Sequence, residues 1–155
     1  MRVALRWAYL LAAGVFLGSI VCFSFVVAPA AFGAFGPAQA GDVVGAVLGP
    51  YYRLGRGAAL LATAGAVLLG RGATARGRWW AAAGAHVVGL VAMAWAGSVV
   101  LPATQRLRAA LHAEGAVPAS SDEFGRLHRR AVALNGAALV AGIAGLGCAA
   151  TALRE

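Results

Sequence analysis

Cys22, His86 and Met93 are the side chains of this sequence best suited to holding a soft ligand. A thiolate, an imidazole and a thioether together suit Cu(I), and Met93 follows His86 by two helical turns on the same helix face. However, the sequence contains no CxxC, MxxM or HxxxH repeat. Copper is therefore the weaker alternative, and packing of Cys22 and Met93 as apolar filler is favoured.

Haem is a second alternative cofactor, and the histidine positions argue against it. A bis-histidine haem needs two histidines at one depth, but His86 and His128 lie near opposite ends of the apolar layer and His112 lies beyond it. The sequence also contains no P-loop, no GxSxG elbow and no plausible catalytic triad. We therefore predict no metal and no cofactor, and the sequence favours a protein without catalytic activity.

Asn135 is the only carboxamide deep inside an apolar stretch, where it requires a hydrogen-bond partner. Counted by the rise of a helix, Asn135, Cys22 and Met93 lie at a similar depth on three different helices. One interpretation is a small polar or soft-ligand site between those helices. The alternative is an interhelical hydrogen bond that fixes their packing.

The elements that position these residues are four stretches without charge, at residues 7–41, 57–70, 79–105 and 131–153. Three are long enough to cross a bilayer of about 30 Å. The stretch at 57–70 is long enough only if residues 51–56 extend it and Arg53 and Arg56 reach toward the headgroups. Because 61% of the residues are hydrophobic, we predict an all-α membrane protein, a four-helix transmembrane bundle. Its single domain covers residues 1–155, with spans at 7–28, 51–70, 79–101 and 129–152.

Two prolines set boundaries in the first half of the chain. Pro29 is expected to end or kink the first helix, because proline removes a backbone donor and clashes with the preceding turn. Residues 42–48 are predicted to form a short interfacial helix. Gly49 and Pro50 are then expected to break the chain before the second span.

The second half of the chain predicts a helical hairpin that extends past the bilayer. Pro102 is expected to kink the third helix, which continues to about Ala113. Ser120 and Glu123 have the spacing of a capping box. The fourth helix is therefore predicted to begin near Ser121.

Aromatic and small residues support this layout. The predicted interfacial belts are Trp7, Tyr9, Trp79 and Trp80 at one face and Tyr51 and Tyr52 at the other. Small residues at spacings of four predict close helix packing, and a homo-oligomer through the same faces. They are Gly14 and Gly18, then Ala58, Ala62, Ala66 and Gly70, then Ala137, Ala141, Gly145 and Ala149.

The net charge of +8 comes from 13 arginines, which flank the apolar stretches as anchors to anionic lipid do. No basic run is interleaved with aromatic residues, so we predict the lipid bilayer as partner and no nucleic acid. Six arginines lie on the terminal side and seven on the other. Arg2 and Arg6 lie close to the first span and favour cytoplasmic termini in a cell membrane, plasma or bacterial inner.

Several motifs along the chain resemble a known family. They are Val27 to Phe32, Gly49 to Gly55, Leu101 to Thr104, Phe124 to His128, and Leu134-Asn135. Together they resemble the transmembrane-protein-205-like family of small four-span proteins, most of unknown function. The resemblance implies roles for Pro29, Phe32, His128 and Asn135, although Ala131 to Ala133 lack the hydroxyl that the family often has there. A vertebrate member is associated with resistance to platinum drugs, so the resemblance implies handling of xenobiotics or soft metals.

Three functional hypotheses follow. The first is a non-enzymatic membrane protein for small-molecule or soft-metal tolerance. Its predicted functional residues are Pro29, Phe32, Tyr52, Arg53, His128 and Asn135, with Cys22, His86 and Met93 in the interior. The second is a haem- or metal-dependent membrane oxidoreductase that uses His86 as a ligand. The third is a structural membrane subunit.

Overall fold

The computed structural model describes residues 2–113 and 122–154, and every regular element in these ranges is a helix. The α-helices are α1 (Arg2–Cys22), α2 (Ala28–Ala34), α3 (Pro37–Gly70), α4 (Arg76–Trp95), α5 (Leu101–Ala113) and α6 (Asp122–Ala152). Two π-helical segments, Phe23–Val27 and Ala96–Val100, join α1 to α2 and α4 to α5. The predicted all-α fold is confirmed, and the capping serine and loop before α6 lie outside the described residues.

The long helices pack side by side in alternating directions. Helix α3 packs against α1 and α4, α6 packs against α4, and α1 closes the ring against α6. The start of α1 meets the turn after α3, where Arg2 donates to the Gly72 carbonyl. The end of α6 meets the start of α4, where Arg78 donates to the Thr151 carbonyl. The two ends of the described chain therefore lie at the same end of the bundle.

Small residues line the interior as predicted for α3 and for three of the four α6 positions, since Ala137 is exposed, but not as predicted for α1. Ala58, Ala62, Ala66 and Gly70 are all buried, and so are Ala141, Gly145 and Ala149. By contrast, Gly14 and Gly18 are exposed, and a Cβ at either position would meet no atom within 4 Å. The α1 face in the interior carries Tyr9, Phe16 and Ile20 instead, so large α1 side chains meet small residues on neighbouring helices.

Pro29 and Pro102 each follow a π-helical segment by two residues and do not end their helices. Helical structure continues from Arg2 to Ala34 and from Arg76 to Ala113. A proline ring clashes with the carbonyl four residues before it, which belongs to Phe25 in one case and to Ser98 in the other. Both residues lie inside the π segments, where the wider turn accommodates the ring.

The prediction of a separate interfacial helix at 42–48 and a break at Pro50 is wrong. Helix α3 runs through Pro50 for 34 residues. An internal proline costs a helix about 3 kcal/mol, but Tyr51 and Tyr52, immediately after it, are almost completely buried. Pro50 itself is exposed, so the carbonyl that loses its partner lies on the outer side. Burial of the two tyrosines therefore outweighs the preference of Pro50 to break the helix.

Three helical rods in the described part of the chain are long and apolar enough to cross a membrane: Arg2–Ala34, Arg76–Ala113 and Asp122–Ala152. Helix α3 does not reach that standard, since Asp42, Arg53 and Arg56 interrupt it. The structure is thus all-helical, with three candidate spans among four long helical rods, which are Arg2–Ala34, α3, Arg76–Ala113 and α6. The sequence predicted four spans. Large apolar side chains such as Leu11 and Val140 are exposed on the outer faces, as a lipid-facing surface requires.

Only two of the six aromatic residues predicted for the interfacial belts are exposed, and both belong to the belt at the terminal side. Trp7 and Trp80 are 69% and 45% exposed and fit an interfacial position. Tyr9, Trp79, Tyr51 and Tyr52 are instead buried between helices. The hydroxyl groups of Tyr9 and Tyr51 make hydrogen bonds across helix interfaces, which repays the burial of a phenol away from water.

Candidate functional site

His86 on α4 is completely buried and is held by two other helices. Its Nε2 atom lies 3.0 Å from the hydroxyl oxygen of Tyr9 on α1. The same hydroxyl lies 3.3 Å from the carbonyl oxygen of Gly145 on α6 and donates to it. Trp79 packs edge-on against Tyr9, and Phe16 packs edge-on against His86. A polar chain of three groups therefore crosses an otherwise apolar interior.

One proton arrangement satisfies both hydrogen bonds. The Tyr9 hydroxyl has a single proton, which it donates to the Gly145 carbonyl. His86 must then donate from Nε2 to the hydroxyl oxygen, so the proton of the ring is on Nε2. Nδ1 is buried without a hydrogen-bond partner. A bare lone pair there is less unfavourable than a buried N–H would be, which supports the same tautomer.

The packing around His86 depends on glycine. A Cβ at position 145 would lie 2.8 Å from Cε1 and 2.9 Å from Nε2 of the His86 ring. A Cβ at Gly89 would lie 2.7 Å from the Phe16 ring. These contacts hold the imidazole tightly, and they favour a structural role for the buried histidine.

The other two interior residues predicted from the sequence lie in different surroundings. Cys22 is exposed, whereas Met93 is completely buried and its terminal methyl group packs on Gly55 of α3. Cys22 and Cys148 are both free thiols. Within residues 2–113 and 122–154 there is no group of three His, Cys, Asp or Glu residues arranged to hold a metal ion. Cys22 is thus exposed where the sequence predicted an interior position, whereas His86 and Met93 are in the interior as predicted.

Asn135 on α6 finds its partner on α3. The Tyr51 hydroxyl donates to Asn135 Oδ1 over 3.1 Å, and the Tyr51 ring stacks on Phe23 with 4.5 Å between ring centroids. Of the two interpretations of Asn135, this geometry supports the interhelical hydrogen bond. Sequence reasoning missed Tyr51 as the partner because it assigned that residue to an interfacial belt.

A cavity of about 640 Å³ lies at the opposite end of the bundle from the chain ends, between α3, α5 and α6. Tyr52, Val100 and Leu101 form its apolar inner part, and Phe32 of α2 lies at its side. The polar lining comprises Asp42, Thr104, Gln105, Arg108, His112 and His128. The cavity brings together three residues predicted from the sequence, Phe32, Tyr52 and His128. Pro29 and Arg53 are exposed and do not line it.

Arg108 is the central charged group of this cavity and was not among the residues predicted from the sequence. Its Nη2 lies 2.8 Å from Asp42 Oδ1 and donates to the Ala38 carbonyl over 2.9 Å. The side chain is only 17% exposed, and its Nε is buried without an acceptor. Asp42 is the only acidic residue before position 114, a signal that one of the arginines would pair with it.

The match to a known family covers most of the chain. DUF4149, a domain of unknown function, matches residues 11–113. The chain belongs to the DUF4149 family. The DUF4149 region covers most of α1 and all of α2 to α5, and it includes His86 and Arg108 but not His128 or Asn135. No curated protein and no solved structure matches the chain.

The resemblance to the transmembrane-protein-205-like family is wrong, because the family that matches is DUF4149 and nothing indicates the other. The motifs that suggested it are short combinations of glycine, alanine, proline and aromatic residues. Such combinations recur where apolar helices end, turn or pack closely, so they carry little information about a particular family. The implied link to platinum drugs and soft metals rested on that resemblance alone and has no other support.

Proposed function

We propose that this DUF4149 protein is a four-span integral membrane protein whose cavity between α3, α5 and α6 binds one amphiphilic small molecule. The observation that carries the proposal is the cavity itself, with its apolar inner part and its charged lining at Asp42 and Arg108. Its volume of about 640 Å³ is that of a pocket for a drug-sized ligand. A molecule with an apolar tail and a hydrogen-bonding head matches this arrangement.

Packing supports α3 as a fourth span. Helix α3 lies between α1 and α4, both of which belong to candidate spans. Its outer face exposes Leu60, Leu61 and Leu68, which would be unfavourable in water but not in lipid. Residues 51–70 make a helix of about 30 Å at 1.5 Å per residue, which matches the hydrocarbon thickness.

Arginines at the far end of α3 are compatible with this position. Arg53 is exposed and free to extend to the headgroups. Arg56 donates to the Tyr52 carbonyl and to the Ser98 hydroxyl, so its charge has polar partners within the protein. In this topology both chain ends lie on one side of a cell membrane, and the nearness of Arg2 and Arg6 to the first span supports a cytoplasmic position for that side.

The cavity lining indicates the chemistry of the ligand head. Arg108 already contacts Asp42, yet its Nε has no acceptor and lies buried beside the cavity. A carboxylate, phosphate or carbonyl oxygen of a ligand would satisfy that donor. His112 and His128 supply further donors or acceptors at the lining. The tail would contact Tyr52, Val100 and Leu101.

Topology is tested by cysteine accessibility in intact cells, in a background with Cys22 and Cys148 changed to serine. Gly36→Cys lies between α2 and α3, and Gly77→Cys lies at the start of α4; an added Cβ meets no atom within 4 Å at either position. If α3 crosses and the termini are cytoplasmic, a membrane-impermeant maleimide labels only Gly36→Cys until the cells are permeabilised; labelling of Gly77→Cys alone would reverse the orientation but keep the crossing. Equal labelling of the two positions would show that α3 does not cross.

Ligand binding is tested with purified protein in mild detergent and a dansyl-labelled undecanoic acid, whose fluorescence rises in an apolar pocket. Ala131→Trp on α6 places a large side chain in the cavity lining. Ala137→Trp is the matched control, since Ala137 is exposed on the same helix and does not line the cavity. We expect Ala131→Trp to weaken binding about tenfold or more, the loss of a favourable tail contact. Equal affinities in the two variants would exclude this cavity as the site.

A further inference from the structure

A second cavity, of about 280 Å³, lies at the end of the bundle that carries the chain termini. The arginines Arg2, Arg6 and Arg71 line it, together with the turn between α3 and α4. Leu5, Leu69 and Trp79 form its apolar part. Three arginines from two separate elements thus line one concave surface.

The charge around this cavity is not balanced by carboxylates in the described part of the chain. The acidic residues of the sequence are Asp42, Glu114, Asp122, Glu123 and Glu155. Asp42 lines the cavity at the opposite end, and Asp122 and Glu123 begin α6 at that same end. Among residues 2–113 and 122–154, the second cavity therefore faces arginines without a carboxylate.

The backbone of the turn adds to the positive potential. Gly72 has a φ of 76°, and this left-handed residue turns the chain back so that residues 71–75 curve along the cavity. Helix α4 begins there with Ala75 as its N-cap, which provides no side-chain cap. The dipole of α4 favours an anion near its start, although Arg76 to Arg78, whose N–H groups open the helix, do not themselves line the cavity. Arginine charge, cavity and helix start all favour the same kind of ligand.

We propose that this cavity binds one phosphate-ester anion, which arginine forks and backbone N–H groups recognise together. The expected source is the headgroup of an anionic phospholipid in the adjacent leaflet, and this part rests on the membrane assignment proposed above. Trp7 and Trp80 are exposed near the beginnings of α1 and α4, as residues at headgroup level are. The apolar lining at Leu5 and Trp79 would contact the glycerol and the first acyl carbons.

Native mass spectrometry of the full chain in mild detergent tests the site, with dioleoyl phosphatidylglycerol and dioleoyl phosphatidylcholine as probes. We expect one phosphatidylglycerol per chain, bound about tenfold more tightly than phosphatidylcholine. Arg6→Gln and Arg71→Gln should each weaken phosphatidylglycerol binding about tenfold, because each removes a charge-assisted hydrogen bond. Arg76→Gln is the matched control, since Arg76 is exposed at the same end but does not line the cavity.

Glycerol 3-phosphate distinguishes a lipid source from a soluble one. If it binds as tightly as phosphatidylglycerol with the same dependence on Arg6 and Arg71, the phosphate site stands and its ligand is a soluble phosphate ester. If Arg76→Gln weakens binding as much as Arg71→Gln, only net charge matters and the site is excluded. Equal binding of the two phospholipids that stays unchanged in Arg6→Gln and Arg71→Gln would exclude it as well. Circular dichroism confirms that each variant keeps its helices.

Discussion

The hydroxyl of Tyr9 on α1 lies 3.0 Å from His86 Nε2 on α4 and donates to the Gly145 carbonyl on α6. This hydroxyl is a single polar group that connects three of the four long helical rods. Since Tyr9 and His86 are both completely enclosed, water does not compete for these hydrogen bonds. The connection fixes the rotation of each helix about its own axis, which apolar packing alone specifies less well.

Gly145→Ala tests how closely the helices approach at this connection. The added methyl group would lie 2.8 Å from Cε1 of His86, and the enclosed ring has little room to move. We expect a loss of about 1–3 kcal/mol in the free energy of unfolding, as for overpacking of a core. Chemical or thermal unfolding in detergent, followed by circular dichroism, measures it.

Gly147→Ala is the matched control on the same helix. A Cβ there meets no atom within 4 Å, and Gly147 is exposed. Because alanine favours a helix over glycine, we expect stability to stay level or to rise by up to about 1 kcal/mol. Equal effects of the two alanines would mean that the contact with His86 is not tight.

A double-mutant cycle measures the Tyr9–His86 interaction. Tyr9→Phe leaves the Nε2–H of His86 without a partner and removes the side-chain hydrogen bond to the Gly145 carbonyl, so we expect a loss of about 1–3 kcal/mol in unfolding free energy. His86→Leu removes the other member of the pair. The double variant should then lose less than the sum of the single losses, by about 1 kcal/mol. Additive losses would show that the hydrogen bond contributes nothing to stability.

The sequence identifies which buried polar residues need a hydrogen-bond partner, but it does not identify the residue that provides the hydrogen bond. His86 and Asn135 stand out because each is a polar group in an apolar stretch. Their partners, Tyr9 and Tyr51, follow from the rotation and register of neighbouring helices, which no single stretch encodes. A signal for Tyr51 existed nevertheless. Residues 51, 55, 58, 62, 66 and 69 recur every three or four positions, and all are buried on one face of α3.

The sequence predicts the long helices better than their interruptions. Apolar stretches between arginines locate α1, α4 and α6 correctly. Local rules then fail at Pro50, where burial of the adjacent tyrosines outweighs the proline. At Pro29 a π segment interrupts the α-helix, but the proline does not end the helical structure. The cavity at the Arg108 end was also beyond prediction, since it lies where the first part of α3 meets α5 and α6. Of its lining residues, only Phe32, Tyr52 and His128 are among the functional residues that the sequence predicts.

Variants of Tyr51 and Asn135 test whether Asn135 stabilises helix packing or contacts a ligand. Tyr51→Phe and Asn135→Ala each remove one side of the same 3.1 Å hydrogen bond. We expect each to lower the free energy of unfolding by about 1 kcal/mol and the double variant to be less than additive. Neither residue lines the cavity, so binding of the dansyl fatty acid should change less than twofold. A large loss of binding at unchanged stability would instead make Asn135 a ligand contact.

The ion pair between Asp42 and Arg108 controls how much positive charge the cavity offers. Asp42 is 64% exposed, and a partly solvated pair contributes about 0–1 kcal/mol to stability. Asp42→Asn should therefore unfold at nearly the wild-type temperature. It releases the Arg108 guanidinium for a ligand, so we expect an anionic amphiphile to bind several-fold more tightly, in line with about 1 kcal/mol of recovered charge.

Arg108→Gln should have the opposite effect and weaken the anionic amphiphile about tenfold. Arg106→Gln is the control, because Arg106 is exposed on the same helix and does not line the cavity. Fluorescence titration with the dansyl fatty acid and with its uncharged methyl ester distinguishes charge from shape. The ester should respond to neither Asp42→Asn nor Arg108→Gln by more than about twofold, since it carries no charge for Arg108 to pair with. If Arg106→Gln weakens the acid as strongly as Arg108→Gln, attraction by the net charge of the surface explains binding, and the cavity does not.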